Sequence, residues 1–144
     1  MKLHRSYLAL FALTGTGCQA QNDIAKYAQT QITNCHAIDG DTLNCQGKRY
    51  RLLAIDTAEM LGHCTQGRVC AKGDPYRQKA ALQATITQSM TAYEITQDRY
   101  QRAVVFVINA RGENLSCSML AAEAEYRPQY DNDNLIASSC PQLI

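Results

Sequence analysis

Ile38-Asp39-Gly40-Asp41-Thr42-Leu43 and, after a short polar turn, Arg51-Leu52-Leu53-Ala54-Ile55-Asp56-Thr57-Ala58-Glu59 decide how this chain is read. Asp39, Asp41, Asp56 and Glu59 stand at the ends of short apolar runs, where strands stop and loops begin. Acidic groups gathered at such a place repel one another unless a cation or a substrate offsets them. A hard cation such as calcium takes carboxylate, carbonyl and water oxygens, which makes Asp41 and Asp56 natural ligands. The plain alternative is a solvated hairpin turn, since Asp-Gly is a common hairpin signal. That alternative accounts for Asp39 and Gly40 but leaves the second acidic group unexplained.

Outward from this stretch the periodicity gives short strands and two helices. Gln31–Ile38 and Asp41–Cys45 read as a hairpin, with Cys35 and Cys45 on facing strands. Direct pairing of those two requires a three-residue loop, Asp39–Asp41, or a bulge. Arg49–Ile55 is expected as a third strand, with Leu53 and Ile55 on one face and Leu52 and Ala54 on the other. Thr57–Lys72 is loop-like. Asp74-Pro75 is a helix start, the first as cap and the second in the first turn. Leu82, Ile86 and Met90 repeat at four-residue spacing toward a core. Thr91–Gln97 and Arg102–Ile108 are expected strands, the latter apolar throughout from Val104, as for burial on both faces. A second helix is expected from Leu115 to about Glu125, with Leu115, Met119 and Ala122 inward. Gln21–Thr30 is expected as a frayed terminus, and the segment after Tyr130 as short and polar.

The chain has 144 residues, enough for one domain with one core. Residues 1–20 have the pattern of a signal peptide: Lys2 and Arg5, an apolar run from Tyr7 to Leu13, then small residues ending Cys18-Gln19-Ala20. Lipidation at Cys18 is the alternative, although Gly15 stands where a lipobox usually has leucine. The apolar run is too short to span a membrane. The location expected is therefore secreted or periplasmic, in a bacterium, with residues 21–144 as the domain. The whole chain has 14 basic and 13 acidic residues; loss of the leader removes two basic residues and leaves 12 against 13. That balance is unlike a protein that holds nucleic acid by a broad basic surface, and affinity for a polyanion would rest on a local arginine cluster and bound metal. Seven cysteines are present, six of them after the leader. An even set after a signal peptide reads as three disulfides. Hairpin adjacency, loop proximity and exclusion suggest Cys35–Cys45, Cys64–Cys70 and Cys117–Cys140. Zinc is disfavoured because no Cys-x-x-Cys spacing occurs.

A third motif, Asp98-Arg99-Tyr100-Gln101-Arg102, follows between two expected strands. Taken alone it is an ordinary charged turn, as Arg51 alone is an edge charge and Glu59 alone a loop cap. In combination and in this order, the three motifs resemble the staphylococcal-nuclease-like (thermonuclease) family over roughly Gln31 to Tyr130. The resemblance implies an α+β fold: a five-stranded oligonucleotide-binding-type (OB-fold) β-barrel with two to three helices. It implies a hydrolase, an endonuclease-like phosphodiesterase acting on DNA and/or RNA as a monomer. It places Asp41, Asp56 and the carbonyl of Thr57 around one calcium ion. Glu59 then activates or orients the attacking water, and Arg51 and Arg102 hold the phosphate. Arg99 and Tyr100 would flank the nucleotide, with Tyr126 and Tyr130 as the candidates for the family's further tyrosines. Two positions depart from the family pattern: Ala58 stands where proline is usual, and Gln101 where glycine is usual. The competing function is a nucleic-acid-binding module of the same fold that does not cleave, and a third is a disulfide-rich structural domain.

Overall fold

Ala28–Thr33 (β1) and Cys35–Ala37 (β2) are separated by a single residue, Asn34, in the computed structural model of this protein, which describes residues 23–144. The expected leader, residues 1–20, and Cys18 lie outside the described residues. Asn34 has φ 52°, a left-handed conformation that asparagine tolerates better than most residues. The kink sends the two strands to opposite ends of one ladder. β1 bonds antiparallel to Ser89–Gln97 (β6), and β2 to Thr42–Cys45 (β3). The expected single strand Gln31–Ile38 is thus divided. It also starts earlier, because Ala28–Thr30 pair with Ala92–Glu94 and are not a frayed end.

The ladder has six strands in the order β1-β6-β7-β4-β3-β2, where β4 is Lys48–Leu52 and β7 is Ala103–Asn109. Its outermost strands, β1 and β2, do not bond to each other among the described residues, so the sheet is not closed. The β2–β3 hairpin has the register Cys35↔Cys45 and Ala37↔Leu43, closed by Ile38 N–H on the carbonyl of Thr42 at 2.9 Å. Its loop is therefore Asp39–Asp41. β7 lies inside the ladder and is buried over Ala103–Val107, as its apolar run predicts. It runs parallel to β4, with Arg51 opposite Val104.

The third strand is shorter than its apolar pattern suggests. It stops at Leu52, turns at Leu53 and Ala54 (φ 58°), and resumes as Ile55–Asp56 (β5) in a separate pair with Glu125–Tyr126 (β8). Leu52, Leu53, Ala54 and Ile55 are all buried, so no two-face alternation exists for them to obey. The first helix, Pro75–Thr85 (α1), begins on the Asp74 cap and ends before Ile86. Met90 reaches the core from β6 and not from that helix. The second, Leu115–Ala121 (α2), is also shorter than expected, because Glu123 turns at φ 68° and hands Glu125 to β8.

The final segment is not merely polar. It carries a third helix, Leu135–Ser139 (α3), with Leu135 and Ile136 buried. The Asp131 carboxylate accepts hydrogen bonds from the N–H groups of Ile136 and Ala137 and from the Tyr126 hydroxyl. Helix-start donors that would otherwise be orphaned are thereby satisfied. Among the described residues the fold is α+β, with a mostly-sheet core and three α-helices. Its disulfides are Cys35–Cys45, Cys64–Cys70 and Cys117–Cys140, the pairing expected. Among the described residues, no helix is long and apolar enough to cross a membrane.

Candidate active site

Gly40 fixes where the first acidic group sits. A Cβ at this position would stand 2.8–2.9 Å from three side-chain atoms of Thr57. Only glycine lets the Asp39–Asp41 loop lie that close to the start of the Thr57–Glu59 loop. Leu52 N–H donates to the carbonyl of Asp41 at 2.8 Å, tying the same loop to the end of β4. Asp41 and Asp56 are thus brought together from separate segments, and both are buried.

Arg51 lies between them. Its Nη1 donates to Asp41 Oδ1 at 3.1 Å and its Nη2 to Asp56 Oδ1 at 3.1 Å. Asp41 Oδ1 also accepts from the Thr42 hydroxyl at 2.9 Å, while Oδ2 accepts only a long 3.4 Å bond from the Thr57 hydroxyl. Burial pushes the Asp41 carboxyl up to about 7; Arg51 pulls it down, and the neighbouring Asp39 and Asp56 charges raise it again. Burial likewise opposes the Arg51 charge, but Asp41 and Asp56 hold it above its ordinary value. Arg51 is the arginine that bridges the two buried carboxylates.

A pocket of about 170 Å³ opens beside this cluster. Asp41, Thr57 and Glu59 line it together with Arg51, Arg102 and Tyr100, so six of the expected site residues meet there. Asp39 and Tyr100 complete its acidic and aromatic sides. Arg102 arrives by the parallel pairing, since it directly precedes β7 and β7 runs beside Arg51. Its aim is fixed by Asp98: Oδ2 accepts from Arg102 Nε at 2.7 Å, and Oδ1 from the N–H groups of Tyr100 and Arg102 at 2.9 and 3.0 Å. Gln101 takes a left-handed turn at φ 61° just before Arg102. Tyr100 is 65% exposed, and the Arg99 and Arg102 guanidiniums lie 4.8 and 5.5 Å from its ring centre.

A second, larger groove of about 830 Å³ continues from the pocket and shares Arg51, Arg68, Tyr100 and Arg102 with it. Asp56, Arg99 and Tyr130 line this groove and not the pocket. Tyr126 lines neither: its hydroxyl donates to Asp131 at 2.7 Å, and burial and that bond push it up to about 12.

Two arginines in the site carried no motif. Arg127 donates to Asp56 Oδ2 at 3.1 Å and pairs with Glu125 at 2.9 Å. Arg68 pairs with Glu59 Oε1 at 2.9 Å and Asp56 Oδ2 at 3.5 Å. Both reach the site by tertiary contacts alone, although a cation between Cys64 and Cys70 was a signal of a kind. A third unforeseen residue is Gln78 of α1, which is buried. Its Oε1 accepts from Ala58 N–H at 2.8 Å, and its Nε2 donates to the carbonyl of Glu123 at 3.0 Å. The N–H that proline would lack at position 58 therefore anchors the loop bearing Glu59.

Among the described residues, no three His, Cys, Asp or Glu side chains group so as to hold a metal ion. The chemistry of the pocket nonetheless suits a hard cation. Asp39, Asp41 and Thr57 present oxygens to one small space, and the Asp41 carboxyl is under-compensated there. Asp56 fits less directly, because both of its oxygens are engaged by arginines. Compared with protein-family models and with curated proteins, the chain matches none.

Proposed function

We propose that this protein is a secreted or periplasmic, calcium-dependent phosphodiesterase of the staphylococcal-nuclease type, cutting DNA and/or RNA. The observation that carries the reading is the convergence of Arg51, Glu59 and Arg102 on one pocket of about 170 Å³ beside Asp41. The three come from a strand, a loop and a separate hairpin. A phosphodiester is anionic, and its transition state gathers charge on the equatorial oxygens. Arg51 and Arg102 would hold those oxygens, for which a planar guanidinium fork is suited. Glu59 would take a proton from the attacking water. Asp41 and Thr57 would hold the calcium ion, with Asp56 joining them where the ion displaces an arginine from it, and the ion when bound would supply positive charge to the phosphate. Tyr100, exposed beside two arginines, is an aromatic on which a base could stack. The kinked β1–β2 segment favours the finer fold proposed, an oligonucleotide-binding-type barrel, since one stretch of chain supplies both ends of the ladder. Three disulfides accord with an oxidising location.

Incubation of the purified protein with single-stranded DNA and RNA, in calcium and then in excess chelator, tests the reading. Cleavage in calcium that stops on chelation is the expected result. A non-catalytic nucleic-acid-binding module is the second reading, favoured by the arginine partners that already occupy Asp41, Asp56 and Glu59. Binding without cleavage would select it.

A further inference from the structure

Residues 61–70 lie beside the site, which Arg68 and Val69 line, with little to hold them there. They form no helix or strand, and Leu61 and Val69 are 80% and 90% exposed. What shapes the segment from Cys64 onward is the Cys64–Cys70 bridge and a turn bond from Arg68 N–H to the carbonyl of Thr65 at 3.0 Å. From this ring Arg68 reaches inward to Glu59 and Asp56, and it lines both the pocket and the groove, so its guanidinium stands where they join.

Such a contact is a poor stabiliser. Arg68 is 40% exposed at its side chain and Glu59 28%, and a pair this accessible is weakened by solvent. Arg51, by contrast, is fixed between two buried carboxylates, and Arg102 is held by Asp98. Arg68 is therefore the pocket arginine most easily transferred to another anion. We propose that Arg68 is a phosphate-binding residue that rests on Glu59 and Asp56 until a substrate phosphate enters the pocket. The inference rests on the phosphodiesterase reading and adds a residue to it. A phosphate offers the guanidinium two oxygens of one acceptor, where it now meets single oxygens of two different carboxylates, so the exchange replaces two ion pairs with one two-pronged contact. The exchange also frees Glu59. The seven-residue ring keeps Arg68 within reach of the pocket mouth.

The test is calorimetric binding of a 3′,5′-nucleoside bisphosphate in calcium, with turnover on single-stranded DNA measured in parallel. Arg68→Ala should bind roughly 10- to 100-fold more weakly, the usual effect of removing a charge-assisted hydrogen bond. Its KM should rise by a similar factor while kcat changes much less, and its melting temperature should stay at the parent's. Arg68→Lys should fall between parent and Arg68→Ala, since it keeps the charge and loses the fork. Cys64→Ser/Cys70→Ser should weaken binding in the same direction with Arg68 still present. Parent affinity and parent KM in Arg68→Ala would overturn the inference and leave the phosphodiesterase reading standing. A parent protein that neither binds the bisphosphate nor cleaves would overturn that reading itself.

Discussion

Replacing Arg51 by alanine removes a guanidinium from between two buried carboxylates, and its consequences can be worked from the contacts. Arg51 donates to Asp41 and to Asp56, each at 3.1 Å. Breaking a buried ion pair costs about 3–5 kcal/mol when the surviving charge is left alone. Here the survivors are not wholly alone. Asp56 keeps Arg127 at 3.1 Å and Arg68 at 3.5 Å. Asp41, already pushed up to about 7 with Arg51 present, would take up a proton at neutral pH and avoid standing charged. The expected loss is therefore at the low end, about 3 kcal/mol. For a domain of this size that corresponds to a fall of roughly 10–15 °C in Tm. The assay is thermal unfolding in chelator and in calcium, followed by turnover on single-stranded DNA. Calcium should raise the Tm of Arg51→Ala more than that of the parent, because the ion replaces the missing positive charge beside Asp41. Turnover should stay depressed by about 100- to 1,000-fold even in saturating calcium, since the transition-state charge has lost a donor. An unchanged Tm in chelator would refute the bridging role. Parent turnover in calcium would refute the assignment of Arg51 to the phosphate.

Three further outcomes are expected. Glu59→Ala should cut turnover by about 100- to 10,000-fold while calorimetry still finds calcium and bisphosphate binding; loss of both would make Glu59 a structural residue. The Cys117–Cys140 bridge spans 23 positions, so Cys117→Ser/Cys140→Ser should lose about 3–4 kcal/mol in urea unfolding by the chain-entropy account. Asp98 supplies the pH dependence: burial lifts its carboxyl, but the bonds from Arg102 and Tyr100 outweigh burial and set it below the ordinary 3.8. The stability it contributes is present above that value and lost as pH falls through the lower folded one. Melting curves below pH 3.8 should accordingly fall more steeply for the parent than for Asp98→Asn, and parallel curves would count against this account.

Local signals in the sequence carried the fold as far as local physics decides it. The three-residue loop and the Cys35–Cys45 pairing followed from hairpin arithmetic, and the structure has that register. The α1 start followed from an Asp cap before proline, and the buried β7 from an unbroken apolar run. What stayed hidden was decided by tertiary contact against local preference. Ala54 and Gln101 adopt left-handed turns with no glycine to announce them. Met90 kept helical spacing yet belongs to a strand, because four-residue spacing in a short apolar segment does not distinguish the two. In the site, Asp41, Thr57, Arg51, Glu59 and Arg102 were legible as motif residues, and the structure gathers them. Arg68 and Arg127 were not, because an arginine in an irregular loop carries no period and its partner lies far along the chain.

The Ala58–Gln78 bond makes these two positions epistatic. Proline at a compatible loop site ordinarily stabilises by narrowing the unfolded ensemble. At position 58 it would instead delete the N–H that Gln78 Oε1 receives at 2.8 Å and strand a buried amide oxygen. Glutamine at 78 loses half its purpose in a chain with proline at 58, and alanine at 58 loses its anchor in a chain without glutamine at 78. The pair can therefore drift between two self-consistent solutions but not through either mixture without a penalty. A library that places proline at position 58 should recover the parent's melting temperature only when position 78 is varied with it.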